Sequence, residues 1–182
     1  MTLHFDNDGR ANGFLTLSQT GAELAACLGR GKLAVVAVAA GMEDSLAGCA
    51  GGSGGAWGDK QYGKLGNGET VDSSVPVLVD AGPGSALQGK TVTAVTGGEY
   101  HSLALCSDGT VAAWGLNLAG QLGTGNTSNG SVPVAVDAGE WSALHGKTVV
   151  AVAAGDFHSL ALCSDGTLAA WGWNDYGQLG DG

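Results

Sequence analysis

The sequence predicts an all-β protein, a β-propeller of four-stranded antiparallel blades present as an open arc of about three. Three observations predict it. The segment from His101 to Thr110 (HSLALCSDGT) returns unchanged at His158 to Thr167, 57 residues later, and a worn copy stands at Asp44 to Ser53. Each good copy holds four short apolar runs bounded by Gly, Asp and Asn. The 34 glycines recur at fixed places in the copy instead of forming low-complexity tracts. A fixed period of tens of residues marks a solenoid, propeller or array, and four antiparallel strands that are apolar on both faces describe a blade packed between two others.

Residues 1–30 are poorly patterned; Phe14 to Leu17 reads as an outer strand, and residues 1–13 show no pattern. A degenerate first copy occupies 31–68, where Gly54-Gly55 replaces Val111-Ala112 and Gly51-Gly52 stands at the turn. The second and third copies, 69–125 and 126–182, agree at 39 of 57 positions. Within the second, Val75-Pro76-Val77-Leu78-Val79 is β-branched, and its proline confines it to a sheet edge or a strand end. Lys90 to Thr96 forms the next run. His101 to Ser107 and Thr110 to Gly115 follow, joined by Asp108-Gly109. Asp-Gly is a strong signal for a two-residue type I′ hairpin, which would pair Ser107 with Thr110 and set Leu103 opposite Trp114, and Leu160 opposite Trp171. Alternation places Leu103 and Leu105 on one face, with Ala104 and Cys106 on the other. The small residues of Ala151 to Gly155 suit a strand near a crowded axis.

With 7 basic against 17 acidic residues the formal charge is −10. Nucleic-acid affinity rests on Lys and Arg neutralising phosphates, so no nucleic-acid partner is expected. No apolar run approaches the roughly 18 residues of a spanning helix, so no membrane partner is expected. The N-terminal residues lack the basic and apolar regions of a secretory signal, which favours the cytoplasm. Cys49, Cys106 and Cys163 share one repeat position and read as small buried hydrophobes; Cys27 lies outside the period.

The run from Gly98 to Leu105, with Asp108-Gly109-Thr110, Trp114-Gly115, Asn117 and Gly120-Gln121-Leu122-Gly123-Thr124-Gly125, resembles the repeat of the regulator of chromosome condensation family, as does Gly155 to Gly182. The resemblance implies a seven-bladed ring. Three units do not close one, so a fragment, or assembly with further copies, is expected. Apolar faces left open at the end blades would support self-association. The resemblance also implies two functions: non-catalytic protein binding, or guanine-nucleotide exchange on a small GTPase. The partner is expected to be a protein.

Nothing in the pattern assembles an active site, a metal centre or a cofactor site. His101, Ser102 and Asp108 suggest a hydrolytic triad, but the trio recurs at His158, Ser159 and Asp165, and neighbouring strand residues point to opposite faces. Gly120 to Gly125 looks like a phosphate loop without the helix whose N-terminus would hold the anion. Asp6-Asn7-Asp8-Gly9 lacks the glutamate that completes a calcium loop. The two good copies differ instead in their loops, where Trp141, Trp173 and Tyr176 replace Gly84, Leu116 and Ala119. Loops carry binding on a rigid scaffold, and aromatic residues dominate interface hot spots, so these three are the expected partner contacts.

Overall fold

A computed structural model describes residues 35–49 and 54–182, and among them the architecture is all-β apart from one short 3-10 turn. The readings made for residues 1–13, Phe14 to Leu17, Cys27 and Gly51-Gly52 lie outside the described residues. The strands are β1 (Val35–Ala40), β2 (Asp44–Cys49), β3 (Gly54–Gly58), β4 (Ser73–Leu78), β5 (Val92–Gly97), β6 (His101–Cys106), β7 (Val111–Gly115), β8 (Gly130–Ala135), β9 (Val149–Ala154), β10 (His158–Cys163) and β11 (Leu168–Gly172). They form three antiparallel sheets, ordered β1-β2-β3-β4, β5-β6-β7-β8 and β9-β10-β11.

Sheets and sequence copies are out of phase by one strand. Strand β4, which opens the copy at 69–125, bonds to β3 of the preceding copy, and β8 bonds likewise to β7. Both carry proline (Pro76, Pro133) and both are edge strands, where a missing N–H costs no ladder bond. Among the described residues the third sheet has three strands, and β11 presents an open outer edge beside a groove of about 440 Å³.

The central strands of the second sheet are buried on both faces. Leu103, Leu105, Val111 and Ala113 pack toward the third sheet with Val149, Ala161 and Cys163. Ala104, Cys106, Ala112 and Trp114 pack toward the first, with Leu46, Ala56 and Leu65. This is the alternation expected from the sequence. Cys106 and Cys163 are buried and free, as expected, whereas Cys49 is disulfide-bonded and so is not the simple apolar filler its repeat position suggested. No helix among the described residues is long and apolar enough to cross a membrane.

The hairpin differs from expectation by one residue. Gly109 N–H donates to Cys106 O at 2.9 Å and Cys106 N–H to Thr110 O at 2.9 Å, closing a three-residue loop. Only Gly109 within it adopts positive φ (80°), so the turn is not type I′. The Asp108 carboxylate accepts from both Thr110 N–H (3.1 Å) and the Thr110 hydroxyl (2.6 Å) and pairs with Lys90. That engagement favours the three-residue loop, the next commonest hairpin after the two-residue form. The register moves accordingly: Ser102, not Leu103, lies opposite Trp114, and Ser159, not Leu160, opposite Trp171.

Candidate functional site

The register correction brings together the groups that fasten one sheet to the next. Ser102 Oγ–H and Trp114 Nε1–H both donate to the Lys64 carbonyl, at 3.1 and 2.8 Å. One repeat later, Ser159 and Trp171 donate to the Gln121 carbonyl at 2.8 and 2.9 Å. Gly66 and Gly123, at φ 71° and 64°, let the backbone pass under these tryptophans; a Cβ on Gly66 would sit 2.8 Å from Trp114 Nε1. His101 bonds across the same seam, its Nε2 lying 2.9 Å from Ser159 Oγ. Because Ser159 spends its proton on Gln121, the histidine is the donor and is protonated at Nε2. Burial, aided by nearby His158, lowers the His101 pKa to about 4 and keeps the ring neutral. A serine and a histidine thus meet, but between blades and fully buried, where no substrate carbonyl reaches them.

The first seam solves the same joint with charge. Asp44, Asp59 and Lys64 stand where the second seam has His101, Leu116 and Gln121. Lys64 Nζ lies 2.8 Å from Asp59, 3.5 Å from Asp44 and 3.2 Å from the Glu99 carbonyl, and 5.5 Å from the centre of the Tyr100 ring. Burial raises the Asp44 carboxyl to about 6 against the opposing pull of Lys64. For Asp59 burial also pushes upward, but the bonds from Lys64 and the neighbouring backbone outweigh it and hold that carboxyl below its usual range.

Loops between the first and second strands of each sheet, and those following the third, emerge on one face of the arc, because Gly97 pairs with Ser102 and His101 with Gly115 at the same end. There five rings run in line. Tyr62 meets Tyr100 edge-on at 5.3 Å, and Tyr100 lies 5.9 Å from Phe157. Phe157 meets Trp173 edge-on at 5.6 Å, and Trp173 meets Tyr176 edge-on at 5.3 Å. The row crosses all three sheets. Between the second and third it borders a cleft of about 400 Å³ lined by Leu116, Leu118, Ala119, Gln121, Phe157 and Trp173. Glu99 holds the Tyr100 hydroxyl above its usual pKa range through a hydrogen bond to the carboxylate.

Two of the residues expected at a partner contact, Trp173 and Tyr176, are therefore neighbours in one row. Trp141 is not among them. It is 94% exposed in the segment joining β8 to β9, on the opposite face with the Asp108 and Asp165 hairpins. The sequence reading missed Tyr62, Tyr100 and Phe157. The signal was available: Tyr100 and Phe157 share one repeat position, as do Tyr62 and Tyr176 two repeats apart.

Tandem antiparallel sheets, fastened at equivalent seams and offering aligned loops, define a repeat β-propeller protein. The chain belongs to the regulator of chromosome condensation (RCC1) repeat family: models of that repeat match residues 56–105 and 108–162, and residues 92–121 and 149–178. It is 39% identical to the ultraviolet-B receptor UVR8 of Arabidopsis thaliana over 126 residues, 69% of this chain and 26% of that protein. It is equally identical over 126 residues to the human E3 ubiquitin-protein ligase HERC2, of which the match covers 2%. Human WBSCR16 superposes with a TM-score of 0.65 at 26% identity, over 80% of this chain and 35% of that one. Yeast RCC1 (Prp20), solved bound to Kap60, superposes at 0.62 and 26% identity, over 80% of this chain and 31% of that one. A further Prp20p structure, described with its binding to Gsp1p and histones, scores 0.63. The chain thus spans about a quarter of UVR8 and about a third of the solved chains. Its fold is of the kind that serves protein binding or nucleotide exchange.

Proposed function

We propose that the chain is a non-catalytic protein-binding propeller segment whose partner docks on the aromatic face. The row Tyr62–Tyr100–Phe157–Trp173–Tyr176 carries this reading. Folding leaves Tyr62 and Tyr176 exposed, and rigid aromatic rings supply large contact area at low entropic cost. The copies at 69–125 and 126–182 supply four of the five rings, and Trp141 would serve a separate contact on the opposite face.

Guanine-nucleotide exchange is the second reading, favoured by the likeness to Prp20. The two separate in one assay. The chain is mixed with small GTPases carrying a fluorescent guanine nucleotide, and release is followed in time. Binding alone leaves the release rate at its intrinsic value. Acceleration that disappears in the Trp173→Ala, Tyr176→Ala variant would overturn the binding reading and install exchange.

A further inference from the structure

We infer that the cleft between the second and third sheets receives an arginine side chain from a basic segment of the partner protein. This deepens the binding reading above and rests on it. The walls are apolar and aromatic: Leu116, Leu118 and Ala119 on one side, Phe157 and Trp173 on the other. Acids adjoin the lining residues along the chain, Asp156 immediately before Phe157. Glu99 and Asp156 lie side by side, joined by a 3.2 Å backbone bond, and Asp175 sits between Trp173 and Tyr176. Among the described residues no free cation offsets them. Lys60 and Lys64 are buried and paired, and Lys90 and Lys147 are held by Asp108 and Asp165 on the opposite face.

The neighbouring seam contains the corresponding interaction within the chain itself. There the buried Lys64 sets its ammonium over the Tyr100 ring, beside the Glu99 carbonyl and the Asp59 carboxylate. At the second seam Gln121 replaces the lysine and Leu116 replaces Asp59, while Trp173 adds an aromatic wall. None of the described residues supplies a cation there, and the space stands open. Arginine suits it better than lysine, because its planar guanidinium stacks on an aromatic face while its N–H groups remain free for carboxylates. Its aliphatic stem would lie along Leu116 and Leu118.

The test is calorimetric titration of the chain with four synthetic hexapeptides of alternating alanine and X, where X is Arg, Lys, Leu or Glu. The arginine peptide is expected to bind tightest, with lysine several-fold weaker and glutamate not at all. Trp173→Ala should weaken the arginine peptide by about tenfold, and Asp156→Asn with Asp175→Asn by about fivefold, an effect that raised salt should reproduce. Equal or tighter binding of the leucine peptide overturns the inference, as does arginine binding that neither variant moves. Failure of all four peptides overturns it too. Accelerated nucleotide release in the GTPase assay strikes only the reading beneath it, so the two failures are distinct.

Discussion

At residue scale the most telling position is the one shared by Asp44 and His101, which begin equivalent strands and carry opposite linkage to pH. Asp44 titrates at about 6 when folded against an ordinary 3.8, chiefly through burial. Its contribution to stability is whole below pH 3.8 and is lost as pH rises through 6. His101 titrates at about 4 against 6.5, again through burial first. The folded state resists its protonation, so stability is gained as pH rises from 4 to 6.5. Each contribution is at most about 3 kcal/mol, and across pH 4–6.5 they oppose one another. Thermal melts over that window should be nearly level for the native chain. Asp44→Asn should leave a melting temperature that climbs with pH, and His101→Gln one that falls. Three parallel profiles would refute the assignment of either group.

At the scale of elements, identical sequence does not mean identical context. The hairpins at Gly109 and Gly166 come from the same ten-residue segment and adopt φ 80° and 82°. A Cβ on Gly109 would lie 2.6 Å from Thr148 Cγ2, whereas one on Gly166 meets nothing within 4 Å. Both alanine variants incur the left-handed cost of about 1 kcal/mol, and Gly109→Ala should lose about 1 kcal/mol more through crowding. Urea midpoints compare the two directly, and equal losses would show that Thr148 yields freely. The same hairpin marks where the sequence was legible and where it was not. Strand existence, the prolines on edge strands and the two-faced packing of β6 follow from local chemistry that each segment carries alone. Register depends on whether the loop holds two residues or three, a choice decided by the bonds of Asp108 to Thr110 and Lys90. One residue of register moves a serine into place beside the tryptophan, so the Ser–Trp–carbonyl joint could not be read until the loop was known. Trp173 and Tyr176 were legible because the two good copies differ there. Tyr100 and Phe157 escaped because an aromatic in both copies looks like scaffold, and their alignment arises only when blades stack.

At the scale of the whole molecule the arc repeats one interface and leaves it unmet at the third sheet. Leu105 is 5% exposed where it faces a neighbour, and its equivalent Leu162 is 41% exposed. Val111 is 5% exposed, and its equivalent Leu168 65%. Leu162 and Leu168 are cross-strand partners on β10 and β11, so they form a single apolar patch, and among the described residues nothing pairs with the outer edge of β11. Such a patch beside an open edge favours pairing with another chain. Sedimentation velocity across a range of concentrations should therefore detect reversible self-association of the 182-residue chain. The double variant Leu162→Glu, Leu168→Lys places opposite charges directly across the strand pair, which preserves pairing within the sheet while making the patch polar. Association should weaken by about tenfold or more, given roughly 1.5 kcal/mol or more for each leucine buried, with little change in melting temperature because both side chains are already exposed. Self-association that persists undiminished in the double variant would move the contact elsewhere, with the Trp141 face the next surface to substitute; a native chain that stays monomeric at every concentration would mean that the open face of the third sheet is tolerated in water.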